Sequence, residues 1–323
     1  MAGRRVLVSG MGGDLGSRVA VLLEAEPWVG SLVGIDVDPP RRRLDRAVFH
    51  RLEPGLHDRI VDIVTSFNPH VVVHIAVWEP FSRATPAVAE RLTDEAATSI
   101  LGAAAECRAL ESVVVRSGIE IYGRARGSAT RPDEDAPIDP TSGYGRQLAG
   151  IERTAAAIGQ RIGVAVSALR SGTVLGPHVP SPLGRLLRMP AFPFSVIADP
   201  PFAVVEDTAA ARAFVVAARD QLDQPVNVVA SGGITALQAA RRGRRVPIPL
   251  IGPEWRFATM LSAILGAPVP DHIVEMLHRG RLADNSRMRE LLGFVPEAST
   301  VEVIDRLYRW PSVVRVPARQ AAA

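Results

Sequence analysis

Val6-Leu7-Val8-Ser9-Gly10-Met11-Gly12-Gly13-Asp14-Leu15-Gly16 is an apolar run that breaks into a glycine-rich turn, and Ser17–Ala25 behind it repeats apolar positions at helical spacing. A strand passing through such a turn into a helix needs glycine where a side chain would obstruct. Gly10 permits the tight turn, Gly13 lets the backbone approach a pyrophosphate, and Gly16 lets the helix lie close on the strand. The helix N-terminus then offers unpaired N–H groups to the phosphates. A glycine triplet alone says little, but here it sits between strand and helix with an acid at the right distance. The second strand, SLVGIDVD at 31–38, ends in Gly34-Ile35-Asp36. A carboxylate there accepts hydrogen bonds from both ribose hydroxyls and repels a 2′-phosphate, which favours NAD over NADP. Arg41–Arg43 follow closely and leave a 2′-phosphate contact open. Glu53, after the third strand, reads either as a partner of the adenine amino group or as an exposed strand-end acid.

Outward from this turn, fully apolar runs alternate with helical patterns: HVVVHIAV at 70–77, SVVVRSG at 112–118 and VAVSALRSG at 164–172, with helices near Asp58–Ser66, Pro86–Arg108 and Tyr144–Ile162. That alternation predicts an α/β fold, a Rossmann-type doubly wound parallel sheet of at least five strands covered on both faces. After Pro177 prolines crowd the chain. Residues 1–177 are therefore expected to form the NAD-binding domain, with strands near Ala203–Val205 and Val226–Val229 returning to its sheet. Residues 178–316 are expected to be mostly a smaller substrate lobe, ahead of a frayed tail at Pro317–Ala323.

Composition narrows the class. No run approaches the eighteen or so apolar residues of a membrane span, and none has the shape of a signal peptide, so a cytoplasmic protein is expected. The single cysteine, Cys107, excludes an internal disulfide and reads as a buried thiol. All 37 Lys+Arg positions are arginine, yet net charge is only +3, which does not suggest a nucleic-acid partner. Arg41–Arg43 and Arg241–Arg245 read as solvated surface, with an anion patch as the alternative. The seven histidines show no metal-ligand spacing, so no metal is expected. No Gly-x-Ser-x-Gly elbow is present, which argues against a hydrolase.

Several stretches taken together, SGMGGDLG at 9–16, VVVHIAV at 71–77, IEIYG at 119–123, SGYGRQLAGIE at 142–152, ALRSGTVLGP at 168–177, VVEDTAAA at 204–211 and ADNSRMRELLGFVP at 283–296, resemble the NAD-dependent epimerase/dehydratase family of extended short-chain dehydrogenases, the group that includes UDP-glucose 4-epimerase. The resemblance spans most of the chain. It implies NAD as cofactor, held by Gly10, Met11, Gly12, Gly13, Asp14, Leu15, Gly16, Asp36, Glu53, Ala76, Val77, Trp78, Tyr144 and Arg170. A sugar or nucleotide-sugar substrate and a homodimer built on the Ala-rich helices around 96–105 and 149–157 are implied with it.

The family's chemistry rests on Tyr-x-x-x-Lys and on a Ser or Thr ending the preceding strand. Tyr144 falls on the tyrosine, but Leu148 stands at the lysine and Gly118 at the hydroxyl, with Ser117 one residue off. Ser117, Ser142 and Thr141 are the candidate replacement hydroxyls. No lysine exists anywhere to replace the lost one, and Arg146, two residues from Tyr144, points to another helix face. A tyrosine left near a pKa of ~10 is about one part in a thousand ionised at pH 7, so the loss costs up to ~10³ in rate, some ~4 kcal/mol. Weakened catalysis is expected. Two alternatives remain open: a non-catalytic NAD-binding regulator or scaffold, and a specialised enzyme with a non-standard mechanism. The arginines that clamp a nucleotide-sugar diphosphate in the family have no counterpart; Arg185, Arg188, Arg279 and Arg281 could supply anion contacts instead. His74 reads as a loop-orienting residue, Trp78 as a wall of the nicotinamide pocket, and Glu79 as an alternative base or a loop-packing residue.

Overall fold

The computed structural model of the protein describes residues 3–251 and 268–310. Seven parallel strands form the central sheet. In chain order these are β1 (Arg4–Ser9), β2 (Val29–Asp36), β3 (Val48–Arg51), β4 (Val71–His74), β5 (Ser112–Gly118), β6 (Ala165–Ser171) and, numbered after the intervening short strands, β10 (Val226–Val228). Their spatial order is β3-β2-β1-β4-β5-β6-β10, every pairing parallel. The order reverses between β1 and β4, and a cleft opens beyond their carboxyl ends, where ligands enter sheets of this kind.

The helices divide by face. Helix α1 (Asp14–Ala25) and α6 (Asp207–Arg219) bury Val19, Leu23, Ala210 and Phe214 with Val6, Val8 and Val114 on one side of the sheet. On the other, α2 (His57–Phe67), α3 (Pro86–Ala104) and α4 (Gly143–Ile162) bury Ile60, Ile100, Leu148 and Ile158 with Leu7, Val72 and Val113. Burial on both faces explains why the strands are apolar without alternation. The lone cysteine, Cys107, is buried and free.

A third cluster gathers Leu183, Leu187, Phe192, Ala239, Ile273, Leu277 and Ile304. It is built from α5 (Pro182–Arg188), α7 (Ala236–Arg242), α8 (Asp271–Arg279) and α10 (Thr300–Arg309), with β8 (Ala191–Ser195) paired to β11 (Val246–Leu250). Helix α9 (Ser286–Leu292) packs back toward β10. One expectation is corrected. The strand near Ala203–Val205, β9 (Val204–Glu206), does not join the main sheet; it pairs with β7 (Thr173–Leu175) in a separate two-stranded ribbon. Gly172 interrupts the chain after β6, so β7 leaves the sheet edge and takes β9 with it, while β10 alone returns beside β6. Residues 252–267 and 311–316 of the expected lobe, and the tail at Pro317–Ala323, lie outside the described residues.

Candidate active site

The glycine turn forms the floor of the cleft. Gly10 adopts φ +78°, and a Cβ there would stand 2.6 Å from the Ala76 amide nitrogen, so only glycine fits between β1 and β4. A Cβ at Gly16 would lie 1.9 Å from the Gly10 carbonyl oxygen. Gly13 differs: an added Cβ would meet only the Gly10 oxygen, at 3.4 Å, and would otherwise project into the groove. That bare α-carbon is the feature a pyrophosphate backbone approach requires. Gly10, Gly13, Asp14, Leu15, Gly16, Asp36, Ala76, Val77 and Trp78 all line the cleft. Met11, by contrast, is fully buried against Gly34, and Gly12 contributes through its amide.

That amide donates to Asp36 Oδ2 at 2.8 Å, and the Val37 amide donates to Oδ1 at 2.6 Å. Burial pushes the Asp36 carboxyl up, and these two amides pull it back. Each oxygen retains a lone pair for a ribose hydroxyl. A smaller apolar recess beside it is bounded by Ile35, Leu52, Pro54 and Ile60. Glu53 is exposed between two of those lining residues and is not itself part of the wall. Over the opposite rim Arg83 reaches Asp14 Oδ2 at 2.9 Å and Asp38 Oδ2 at 3.6 Å, while Arg41 approaches Asp14 at 3.6 Å. The residues present therefore fit a dinucleotide.

At the far end of the cleft the chemistry-bearing side chains come from four places. Tyr144 sits in the first turn of α4, buried, its ring 4.7 Å from the ring of His272. Arg116, on β5, lines the cleft, donates to the Val77 carbonyl at 3.1 Å and brings its positive charge near the Tyr144 hydroxyl. Glu79, on the loop after β4, also lines the cleft and meets His272 Nε2 at 3.1 Å. Burial pushes the Tyr144 hydroxyl well above its usual range; Arg116 pulls it back, and Glu79 and Glu120 push it further up.

The family-type positions are filled differently from the motif. Leu148 is fully buried in the core beneath Tyr144. A Cβ on Gly118 would come within 2.3 Å of Glu120 Oε2 and 3.0 Å of Leu148 Cδ1. The place where a serine would stand is thus occupied by the Glu120 carboxylate. Glu120 in turn pairs with the buried Arg281 at 3.2 Å, which also holds Glu275 at 2.6 Å.

Two of the three substitute hydroxyls are committed elsewhere. Ser142 caps α4, accepting from the Gly145 amide at 3.1 Å. Thr141 accepts from the Arg124 amide and donates to Glu275. Ser117 is buried and its Oγ has no hydrogen-bond partner among the described residues. Arg170 is not brought to the cleft. It forms a buried pair with Glu152 at 2.8 Å, donates to Tyr122 Oη at 3.0 Å, and lines a separate cavity between α4 and β6. Of the proposed anion contacts, Arg185 donates to the Phe81 and Ser82 carbonyls, Arg188 to the Leu307 carbonyl and Arg279 to the Arg124 carbonyl. Among the described residues no group of three or more His, Cys, Asp or Glu is placed to hold a metal.

Sequence reasoning missed Arg116, Glu120 and His272 as site residues, and read Arg281 as an anion contact where it instead pairs with Glu120 and Glu275. Two carried a signal: Arg116 is the one charge in the apolar strand SVVVRSG, and Glu120 the one acid in IEIYG. His272 and Arg281 are brought in by tertiary packing of α8 and the loop behind it, which no local pattern announces.

Comparison with known proteins adds three findings. The model of the NAD dependent epimerase/dehydratase family matches residues 6–229, more than half of the chain. An uncharacterized protein of Mycobacterium tuberculosis is 27% identical over 314 residues, covering 94% of this chain and 83% of that one. Among solved structures, UDP-glucose 4-epimerase of Thermotoga maritima with UDP-glucose superposes with a TM-score of 0.72 at 17% identity, over 95% of this chain and 98% of that one. UDP-glucuronic acid 4-epimerase of Bacillus cereus in complex with NAD gives 0.68 at 18%, over 95% and 98%. The dTDP-glucose 4,6-dehydratase of Bacillus anthracis in complex with NAD gives 0.71 at 14%, over 95% and 96%. At these identities the likeness establishes the fold.

Proposed function

The chain belongs to the NAD dependent epimerase/dehydratase family, and from that premise we propose that it is an NAD-dependent oxidoreductase of the epimerase/dehydratase kind, acting on a nucleotide sugar or a related sugar derivative. The observation that carries this reading is the convergence on one cleft of the Gly10–Gly16 floor, the Asp36 carboxylate and, at the far end, Arg116 and Glu79, with Tyr144 buried near both. Asp36 favours NAD over NADP. Bound there, the nicotinamide supplies a hydride acceptor and donor.

This chain's residues do the rest. Asp14, Leu15 and Gly16 at the start of α1 present amides to the phosphates, Asp36 accepts from the ribose, and Ala76, Val77 and Trp78 close the groove. Tyr144 contacts the reacting oxygen and exchanges its proton. Arg116 takes the place of the missing lysine as the cation beside that hydroxyl. The neighbours' UDP-linked ligands support a nucleotide sugar, and the lobe around α5 and α8 is the surface we assign to it. Thr98 and Gly102 on α3 and Ala157 on α4 are small and exposed, which supports a homodimer through these helices as part of the same reading. So does a cytoplasmic location; among the described residues no helix is long and apolar enough to cross a membrane.

The test is absorbance at the nicotinamide band when NAD-loaded protein is mixed with UDP-glucose, UDP-glucuronic acid and dTDP-glucose. A change with one of them, abolished in Tyr144→Phe while NAD stays bound, is expected. Leu148 and Gly118 favour a second reading, in which NAD is held without turnover; bound NAD that responds to no nucleotide sugar would establish it.

A further inference from the structure

A side chain outside both the glycine turn and the ribose acid spans the cofactor groove. The loop at 78–84, after β4, forms one wall of the cleft, to which Trp78, Glu79, Ser82 and Arg83 all contribute. Its backbone is tightly held. The Phe81 amide donates to the Ala84 carbonyl at 2.9 Å, the Ser82 amide donates to the Glu79 carbonyl at 3.0 Å, and Phe81 takes the left-handed conformation at φ +60°. From the other lobe, Arg185 on α5 donates to the Ser82 carbonyl at 3.1 Å and to that of Phe81. A backbone so fixed aims Arg83 across the groove.

The Arg83 guanidinium joins the two parts of the dinucleotide floor. Its Nη2 donates at 2.9 Å to Asp14 Oδ2, in the first turn of α1, and its Nη1 stands 3.6 Å from Asp38 Oδ2, two residues beyond Asp36. Arg41, whose amide donates to Ser17 Oγ at 2.8 Å, brings its Nε to 3.6 Å from the same Asp14 oxygen. Arg83 therefore bridges from the start of α1, where amides face a pyrophosphate, to the strand end where Asp36 faces a ribose.

Charge decides what such a bridge can do. Asp14 sets a negative charge beside the amides that meet a pyrophosphate, and a pyrophosphate brings a further negative charge on each phosphoryl group. A carboxylate and a diphosphate share that place only with cations between them. A guanidinium serves either anion, since its planar fork pairs with phosphate oxygens as well as with a carboxylate. Burial pulls the Arg83 guanidinium down and Arg41 adds to this, while Asp14, Asp38 and Asp36 hold it up.

Resting on the proposed NAD reading, we propose that Arg83 is the pyrophosphate clamp of this cleft, held over the groove by Asp14 and transferred from that carboxylate to a phosphoryl oxygen when the dinucleotide enters. The step exchanges one ion pair for another and breaks no covalent bond. Arg41 stays with Asp14 and neutralises it. Asp14 thus presets the clamp and at the same time competes with the cofactor for it. Because Arg185 ties the same loop to α5, the clamp also anchors the cofactor wall to the lobe assigned to the sugar.

The test is isothermal titration of full-length wild type and variants, dialysed free of co-purified nucleotide, with adenosine, ADP and NAD. Arg83→Gln should weaken ADP and NAD at least ~10-fold, the order expected for a lost charge-assisted pair, and leave adenosine within about twofold. Arg83→Lys, which keeps the charge and loses the fork, should recover part of the loss. Asp14→Asn should tighten ADP and NAD several-fold by removing the competitor. Equal losses for adenosine and ADP in Arg83→Gln overturn the clamp, because the arginine then only shapes the wall. ADP and NAD affinities that ignore the substitution also overturn it and leave the NAD reading standing. No tightening in Asp14→Asn overturns the exchange, and a wild type that binds no NAD overturns both readings.

Discussion

Gly118 shows how a motif departure can be closed by packing. A serine at this position would drive its Cβ to 2.3 Å from Glu120 Oε2, and that carboxylate is pinned by Arg281. Restoring the family residue should therefore not restore the family chemistry. Gly118→Ser is expected to cost about 1–3 kcal/mol by overpacking and to leave turnover no higher than wild type; denaturant unfolding and the nicotinamide assay measure the two halves. A stable Gly118→Ser with faster turnover would contradict the geometry. At this scale the sequence was legible where function demands a residue type at a fixed offset. Gly10, Gly13, Gly16 and Asp36 line the cleft as their spacing implies, while Tyr144 lies buried in the first turn of α4 against His272. Arg170 did not, because the same arginine that suits an anion also suits a buried pair with Glu152, and only packing decides between them.

At the scale of elements, the register of β1 on β4 sets Ser9 beside His74 and leaves Ser9 Oγ 2.8 Å from His74 Nδ1. His74 has no exposed surface, and burial alone brings it down to about 4. A group depressed below its unfolded value contributes stability above that value. The contribution is lost as pH falls from 6.5, the unfolded value, through 4. At ~1.36 kcal/mol per unit the two-and-a-half-unit gap is worth about 3 kcal/mol. His272 is shifted the opposite way, so the two are separated by substitution. Unfolding free energies measured between pH 7 and 4.5 should fall less steeply in His74→Gln than in wild type, and parallel slopes would contradict the assignment. Most elements were legible because their periodicities are long and clean. The strand at Val204–Glu206 was recognised as a strand and misplaced as to sheet. Its partner is decided by the break at Gly172, which a β-pattern does not reveal.

Across the whole molecule, the parallel sheet and its switch point dictate where a ligand goes, and the C-terminal segment decides what happens there. The first was readable from alternating apolar runs and helical patterns. The second was not, since His272 and Arg281 reach the site only after α8 and its following loop have packed over the cleft. The family is established through the N-terminal two-thirds, whereas the departures from its chemistry meet residues supplied by the last third. The central claim is that this cleft holds NAD on the Gly10–Gly16 floor and Asp36. The most direct measurement is the cofactor content of purified protein, by mass spectrometry and absorbance, beside the affinities of wild type and Asp36→Ala for NAD and NADP. The account predicts NAD bound at one per chain, preferred over NADP, and weakened at least ~10-fold by the substitution, in line with loss of charged hydrogen bonds to ribose. Absence of NAD binding, or affinity untouched by Asp36→Ala, would contradict it.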